Sequence, residues 1–486
     1  MNKLTLSKKN ELLNKYYTDE KSQMIGIIIG SILILIMALL IIILTATTTN
    51  KLYENEEILQ GYIPKNSIIA KYNIEDPSKK ILLFNNSYLK YIHLLKIDGN
   101  KEENITNEYI FDSPGEHAIK ISFKKPLKYM NQFFINCTDL IEVNLTNLTT
   151  EKIRTASDMF NGCIHLTNID LTNFDSTNLK NLSNMFYGCS SLNSLTIKGF
   201  DGPELKDISG MFAKCTNLST IEYINFNTYN VINMSNLFYE CESLDEAYFY
   251  SFNTYNVKDM SNMFYGCSNL TIIEQYFITP NVVNMSGMFN GCSNLVNISV
   301  ENFDTQNVED MSLMFSDCLS LTSIESSYFN TSNVTNMSGM FKNCMSLEYI
   351  NISYLDIGNV VNMSEMFINC NSLQVIDSEG LNPDNLIYMN GMFQNCYSLE
   401  NLTLTNFLYN KIEDISYLLD GCSNIIYIDF STFNSSNIYN YENIFRNLPE
   451  KGTILYNSYI FNKNILDSLP NAWYKKDINN VLKFLL

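Results

Sequence analysis

The chain has 486 residues, of which 46% are hydrophobic and only 17% charged, and it carries a net charge of −19. So acidic a body lacks the basic face that displaces counterions from phosphate, which argues against nucleic-acid binding and against docking on anionic lipid. It favours basic partners and keeps a large exposed array in solution.

Residues 1–21 hold Lys3, Lys8, Lys9, Lys15 and Lys21 against Glu11, Asp19 and Glu20. From Ser22 to Asn50 no residue is charged, and the apolar centre, MIGIIIGSILILIMALLIIIL from Met24 to Leu44, is 21 residues long. That matches the ~20 residues a helix needs to cross a ~30 Å hydrocarbon core. It exceeds the ~7–15 residue apolar stretch of a cleaved signal peptide, and Thr45-Ala46-Thr47 is a poor cleavage site. Residues 1–23 are therefore expected to be a cytoplasmic tail and residues 24–47 an uncleaved signal-anchor helix. The lysines ahead of the helix keep the N-terminus in the cytoplasm. The expected location is the plasma membrane, single-pass, with the rest of the chain an extracellular ectodomain.

Residues 51–130 form no repeat. In IFDSPGEHAIKISFK (110–124) a turn at Ser113-Pro114-Gly115 precedes a segment where Ile119, Ile121 and Phe123 alternate with Lys120, Ser122 and Lys124. This predicts a small β-rich N-terminal module that also caps the repeat array on its C-terminal side.

From about 131 to 445 the chain repeats. Its cysteines fall at Cys137, Cys163, Cys189, Cys215, Cys241, Cys267, Cys292, Cys318, Cys344, Cys370, Cys396 and Cys422, always 26 residues apart except for 25 between Cys267 and Cys292. Other columns keep the same period. Met-Phe starts four residues before Cys, as in Met263-Phe264, and Leu follows three after it, as in Leu270. Phe comes eleven after it (Phe252, Phe303), then Asn-Val (Asn256-Val257) and Met-Ser (Met260-Ser261). A fixed period of this length is one coil of a solenoid. Leu295, Ile298 and Val300 predict one short strand per coil, stacked in parallel. Met260, Met263 and Phe264 have the i, i+3, i+4 spacing of one helical turn, with Ser261 as its cap and Gly266 as its stop. The fold class is thus an α/β solenoid: a leucine-rich-repeat-like stack of about 12 coils with one parallel β-sheet, behind a transmembrane helix and a β-rich cap. Residues 446–486, with Trp473, are expected to close the far end.

Neighbouring cysteines in such a stack have parallel side chains, too far apart at Cβ for good disulfides, so a buried thiol ladder is expected. The Met column reads as core filling. The Asn column (Asn230, Asn256, Asn307, Asn333, Asn359) reads as a buried amide ladder bonding adjacent loops.

These strings resemble the BspA-like leucine-rich-repeat surface-protein family, above all NMFYGCSSL (184–192), MFNGCSNL (288–295), FDTQNVEDMSLMF (303–315) and FNTSNVTNMSGMF (329–341). The resemblance spans about residues 130–445. It departs around Cys137 and Cys422, which lack Met-Phe, and at Asp201-Gly202-Pro203. It implies a cell-surface protein associated with adhesion to host or matrix proteins and with cell–cell contact.

No P-loop, HExxH, GxSxG or strand-linked GxGxxG occurs, and only His93, His117 and His165 could serve as imidazole bases. No enzyme activity, cofactor or metal is expected. The expected partner is a protein ligand, not nucleic acid. Aromatic residues near the strands, Tyr223, Tyr248, Phe249, Tyr250, Tyr276 and Tyr328, are the candidate binding face, since aromatics are enriched at interfaces. Candidate N-glycosylation sites are Asn104, Asn144, Asn217, Asn269, Asn297, Asn351 and Asn401. The alternative is a self-associating coat or luminal scaffold with no foreign ligand.

Overall fold

The computed structural model describes residues 66–479, apart from 172, 199, 201, 225, 246–251, 272–276, 379, 405 and 409. The tail (1–23) and the expected transmembrane segment (24–47) lie outside the described residues. Among the described residues no helix is long and apolar enough to cross a membrane.

The first strand, β1 (Ser67–Ile74), buries Ile68, Ala70, Tyr72 and Ile74 on one face. Two residues, Ile81–Leu82, form β2, and a 3-10 turn (Asn86–Tyr91) leads into β3 (Ile92–Ile97). Then come β4 (Asn100–Lys101), β5 (Glu108–Tyr109) and β6 (Gly115–Phe123). Strand β6 runs antiparallel between β1 and β3, pairing Ile121 with Ile68 and with Leu95. The free edge of β1 pairs antiparallel with β7 (Leu140–Asn144), the first strand of the repeats, and Lys71 reaches Glu142 at 2.7 Å. An exposed row of strand amides invites unwanted pairing, and here β1 occupies it. Asn85 N–H and the Tyr88 hydroxyl bond the carbonyls of Phe133 and Asn131 in the first coil at 2.8 Å each.

Later strands stack in parallel, one repeat per step. These are β8 (Asn168–Asp170), β9 (Ser194–Lys198), β10 (Thr220–Ile224), β11 (Tyr349–Asn351), β12 (Val375–Asp377), β13 (Asn401–Thr403) and β14 (Tyr427–Phe430). They form several short ladders, not the one continuous sheet expected: β7 with β8, β9 with β10, β11 with β12, and a run beginning at β13. Part of the gap falls on 246–251 and 272–276. Around Asn297 and Ser299 the coil follows the same path without pairing, and neither residue type favours strand.

A second ladder runs through every coil. Twelve parallel bridges link Tyr129, Thr155, Asn181 and Asp207 onward to Asn440. Beside it the Met-Phe stretch departs from expectation, because it is not a helical turn. Asn262 has φ 53° and Gly266 φ 71°, and the same pair of left-handed positions recurs from Gln132 and Asn136 to Asn443 and Asn447. Those kinks aim the amides at the next coil: Asn262 N–H bonds Ser286 at 2.9 Å, Phe264 bonds Met288 at 2.9 Å, and Gly266 bonds Asn290 at 2.7 Å, each to a carbonyl. A helix would spend those donors four residues back. Nor does the Ser cap anything. Ser261 donates from N and Oγ to Asp259 Oδ1 at 2.9 and 2.7 Å, so the Asp or Asn ahead of Met shapes the turn. The α/β class is therefore corrected to a β-solenoid. The described α-helix, α1 (Lys463–Asp467), lies beyond the repeats.

Eleven full turns separate the first and last of the twelve cysteines, and every cysteine is buried and free. From Cys163 to Cys422 each thiol donates to a Phe carbonyl of the preceding coil, as Cys318 Sγ does to Phe289 at 3.2 Å. The Phe before each Cys stacks on its neighbours at 5.5–5.8 Å from Phe134 to Phe393. A buried Thr column, unforeseen in the sequence, knits the return loops: Thr228, Thr254, Thr279, Thr305 and Thr331 each donate to a carbonyl one coil on, at 2.8–3.0 Å. Gly202 stands in that column because a Cβ there would lie 2.1 Å from the Ser176 carbonyl oxygen. Past the last repeat, β15 (Thr453–Tyr456) and β16 (Tyr474–Asp477) extend the β13–β14 ladder in parallel. The Trp473 ring covers the core there, and its Nε1 donates to Pro449 at 2.9 Å.

Candidate protein-binding face

Six residues after each Cys stands a core residue: Ile169, Leu195, Ile350, Leu402 and Ile428 are buried. Strand residues alternate, so the position before each of them must face solvent. Through the later coils that outward position is filled by Tyr349, Val375, Asn401, Tyr427, Thr453 and Tyr474. Register pairs Tyr349 with Val375, Asn401 with Tyr427, Tyr427 with Thr453, and Thr453 with Tyr474. Tyr349 is 47% exposed, Val375 54% and Tyr474 66%. Met345, Tyr354 and Tyr397, in the turns flanking the same strands, are exposed too.

Two residues further on, Asn351, Asp377, Thr403 and Asp429 line the neighbouring outward column in the same register. Asp429 lies beside the Tyr427 hydroxyl at 3.5 Å, and burial with that carboxylate pushes the Tyr427 phenol up. The face thus combines apolar rings with carboxylates, a composition suited to a protein surface carrying apolar and basic side chains.

The residues chosen from sequence fare unevenly. Tyr328 is exposed at 49%, closing a 3-10 turn (Ser326–Tyr328). Tyr223 lies in β10, its backbone paired with Ile197. Tyr248, Phe249, Tyr250 and Tyr276 lie outside the described residues. Sequence reasoning missed Tyr349, Tyr397 and Tyr427. The signal was present in the alternation Tyr349-Ile350-Asn351, once Ile350 is aligned with the core column.

The Asn ladder exists, but at the surface: Asn256, Asn307 and Asn333 each donate to a carbonyl of the preceding coil at 2.7, 2.7 and 2.6 Å while partly or fully exposed. Among the sequons, Asn104, Asn217, Asn269, Asn297 and Asn401 are exposed. Asn144 and Asn351 are half-buried and hold their own sequon hydroxyls, Thr146 and Ser353, at 2.6 Å. Among the described residues no group of His, Cys, Asp or Glu could hold a metal ion. Burial pushes the thiols up, Cys215 and Cys422 to about 12, so they stay protonated and hydrogen-bonded.

The family described as "Mycoplasma protein of unknown function, DUF285" matches in overlapping stretches, 128–248, 195–277, 265–378, 322–426, 346–457 and 387–481. The chain belongs to this family. The DUF285 match covers the solenoid and both strands beyond it. No curated protein matches the sequence. Among solved structures, the pneumococcal vaccine antigen PcpA is similar at 13% identity over 67% of this chain and 78% of that one, with a TM-score of 0.31. A Leptospira interrogans LRR protein shares 9% over 72% and 93%, TM-score 0.19. The functional domain of InlJ from Listeria monocytogenes, described as including a cysteine ladder, shares 12% over 68% of each chain, TM-score 0.17. Scores of this size say nothing about what the DUF285 chain binds.

Proposed function

We propose that the chain is a membrane-anchored surface protein, BspA-like in its repeats, whose solenoid binds other proteins through its outward strand face and carries out no catalysis. The observation that carries this reading is the outward column Tyr349–Val375–Asn401–Tyr427–Thr453–Tyr474, exposed at Tyr349, Val375, Asn401 and Tyr474 and half-buried at Tyr427 and Thr453, on a backbone fixed by two ladders and a stacked core. Rigid aromatics displayed at low entropic cost are what protein interfaces select. The anchor is residues 24–47, which would place the solenoid on the extracellular side of the plasma membrane with the tail in the cytoplasm, and the exposed sequons other than Asn401, which stands in the binding column, would then be open to glycans.

The test is binding of the full chain in detergent to a panel of extracellular-matrix proteins, against a variant with Tyr349, Tyr397 and Tyr427 changed to Ser. Loss of more than about tenfold in affinity, with the fold retained by circular dichroism, supports the face. Equal binding by the variant, or self-association with no binding to the panel, overturns it, the latter in favour of a coat protein.

A further inference from the structure

One column of the second ladder breaks the acidic pattern of the chain. It reads Lys128, Arg154, Lys180, Lys206, Ile232, Lys258. Each backbone bonds the one before it: Arg154 N–H to Lys128, Lys180 to Arg154, Lys206 to Lys180, Ile232 to Lys206 and Lys258 to Ile232, at 2.7–2.9 Å to the carbonyl. All five cations are exposed. Lys180 pairs with Glu204 at 2.6 Å, both ends in solvent, a contact worth little. Lys128, Arg154, Lys206 and Lys258 form no ion pair within 4 Å among the described residues, and the Glu204 carboxylate, its pKa held down first by the hydrogen bond from Lys180, also feels the Arg154 and Lys206 charges, which help to hold it down. By contrast, from Cys215 to Asn447 the chain has Lys258, Lys342, Lys411 and Arg446 as its only Lys and Arg, amid many carboxylates.

The stack sets the charges in a line with a pitch of about 4.8 Å per coil. A line one residue wide selects a thread. A flat lipid surface or a duplex would also meet Glu151, Asp175 and the acidic coils beyond, and be repelled. An extended acidic peptide presents same-face side chains about 6.6 Å apart, out of step with the coils within two repeats. Single-stranded nucleic acid gains its affinity from stacked aromatics, and this column has none.

We propose that the stripe from Lys128 to Lys258 binds a linear anionic glycan, a sulfated or carboxylated sugar polymer lying along the stacking axis. The stripe shares no residue with the strand face, so the two sites fail independently.

The test is retention of the full chain on immobilised heparin at low salt. Retention should weaken steeply as salt rises. The variant K128Q/R154Q/K180Q/K206Q/K258Q should bind more than about tenfold more weakly. A variant with all four lysines of the stripe changed to Arg keeps the charges and should bind as the parent does, and K342Q/K411Q/K476Q should leave binding unchanged. The proposal is overturned if the parent is not retained, if the five-fold variant binds equally well, if the control variant loses as much, or if single-stranded DNA or polyglutamate binds more tightly than heparin.

Discussion

Phe315 shows how the core is held. Its ring stacks on Phe289 at 5.5 Å and on Phe341 at 5.6 Å, with no exposure. Phe315→Ala should cost about 3–5 kcal/mol, because coils locked in register on both sides cannot collapse onto the void. Urea titration of the variant measures this, and a shift under about 1 kcal/mol would mean that the stack relaxes freely. The thiols make a second expectation. Desolvation holds them protonated, so the folded chain at pH 8 should take up no thiol reagent, and the twelve should react together on unfolding. Labelling of Cys318 in the folded protein would contradict it. In the N-terminal module His117 contacts Asp98 at 2.7 Å and the Ser113 carbonyl at 2.9 Å. Burial pulls its pKa down, but the Asp98 and Ser113 contacts, with Asp112 nearby, leave it raised above 6.5. A raised folded value stabilises fully below the unfolded pKa and is lost as pH rises through the folded one. Protection factors of the β6 amides, which remove the base-catalysed rise in intrinsic exchange, should therefore fall from about pH 6.5 upward, and His117→Gln should flatten that dependence.

At the scale of the element, the lesson lies in the Met-Phe stretch. The spacing of Met260, Met263 and Phe264 fits a helix, yet two left-handed residues, Asn262 and Gly266, give the same spacing by successive turns. The deciding signal was the recurrence of Asn, Gly and Asp at those two positions, the residues that tolerate positive φ. Columns of Cys, Phe and Leu were legible because each is a single buried position per period. The Thr ladder and the second bridge ladder were not, since hydroxyls and Asn or Asp read as loop until their cross-coil partners are known. Of the outward aromatics, Tyr328 was legible as a variable position, while Tyr349 and Tyr427 needed the strand register. Leu313 tests the turn directly. It sits at φ 56°, where a side chain costs about 1–2 kcal/mol. Leu313→Gly should raise stability by about 1 kcal/mol, Gly's greater unfolded entropy offsetting part of the relief. Destabilisation instead would show that Leu313 packing on Gly339 matters more than the strain.

Across the whole described solenoid, each coil touches mainly its neighbours, so stability propagates along the stack and depends on closed ends. Strand β1 occupies the edge of β7 at one end, and Trp473 with β16 shuts the other. Between the ends, the backbone leaves two outward stripes with different chemistry: aromatic and acidic on the strands, basic along the second ladder. The central claim is that a displayed strand face binds protein. Its most direct measurement is adhesion to matrix-coated surfaces of cells expressing either the full chain or the variant with Tyr349, Tyr397 and Tyr427 changed to Ser, with surface display checked by an impermeant antibody to a C-terminal epitope. The account predicts equal display of both and adhesion by the parent alone. Equal adhesion, or an epitope reached only after permeabilisation, would contradict it.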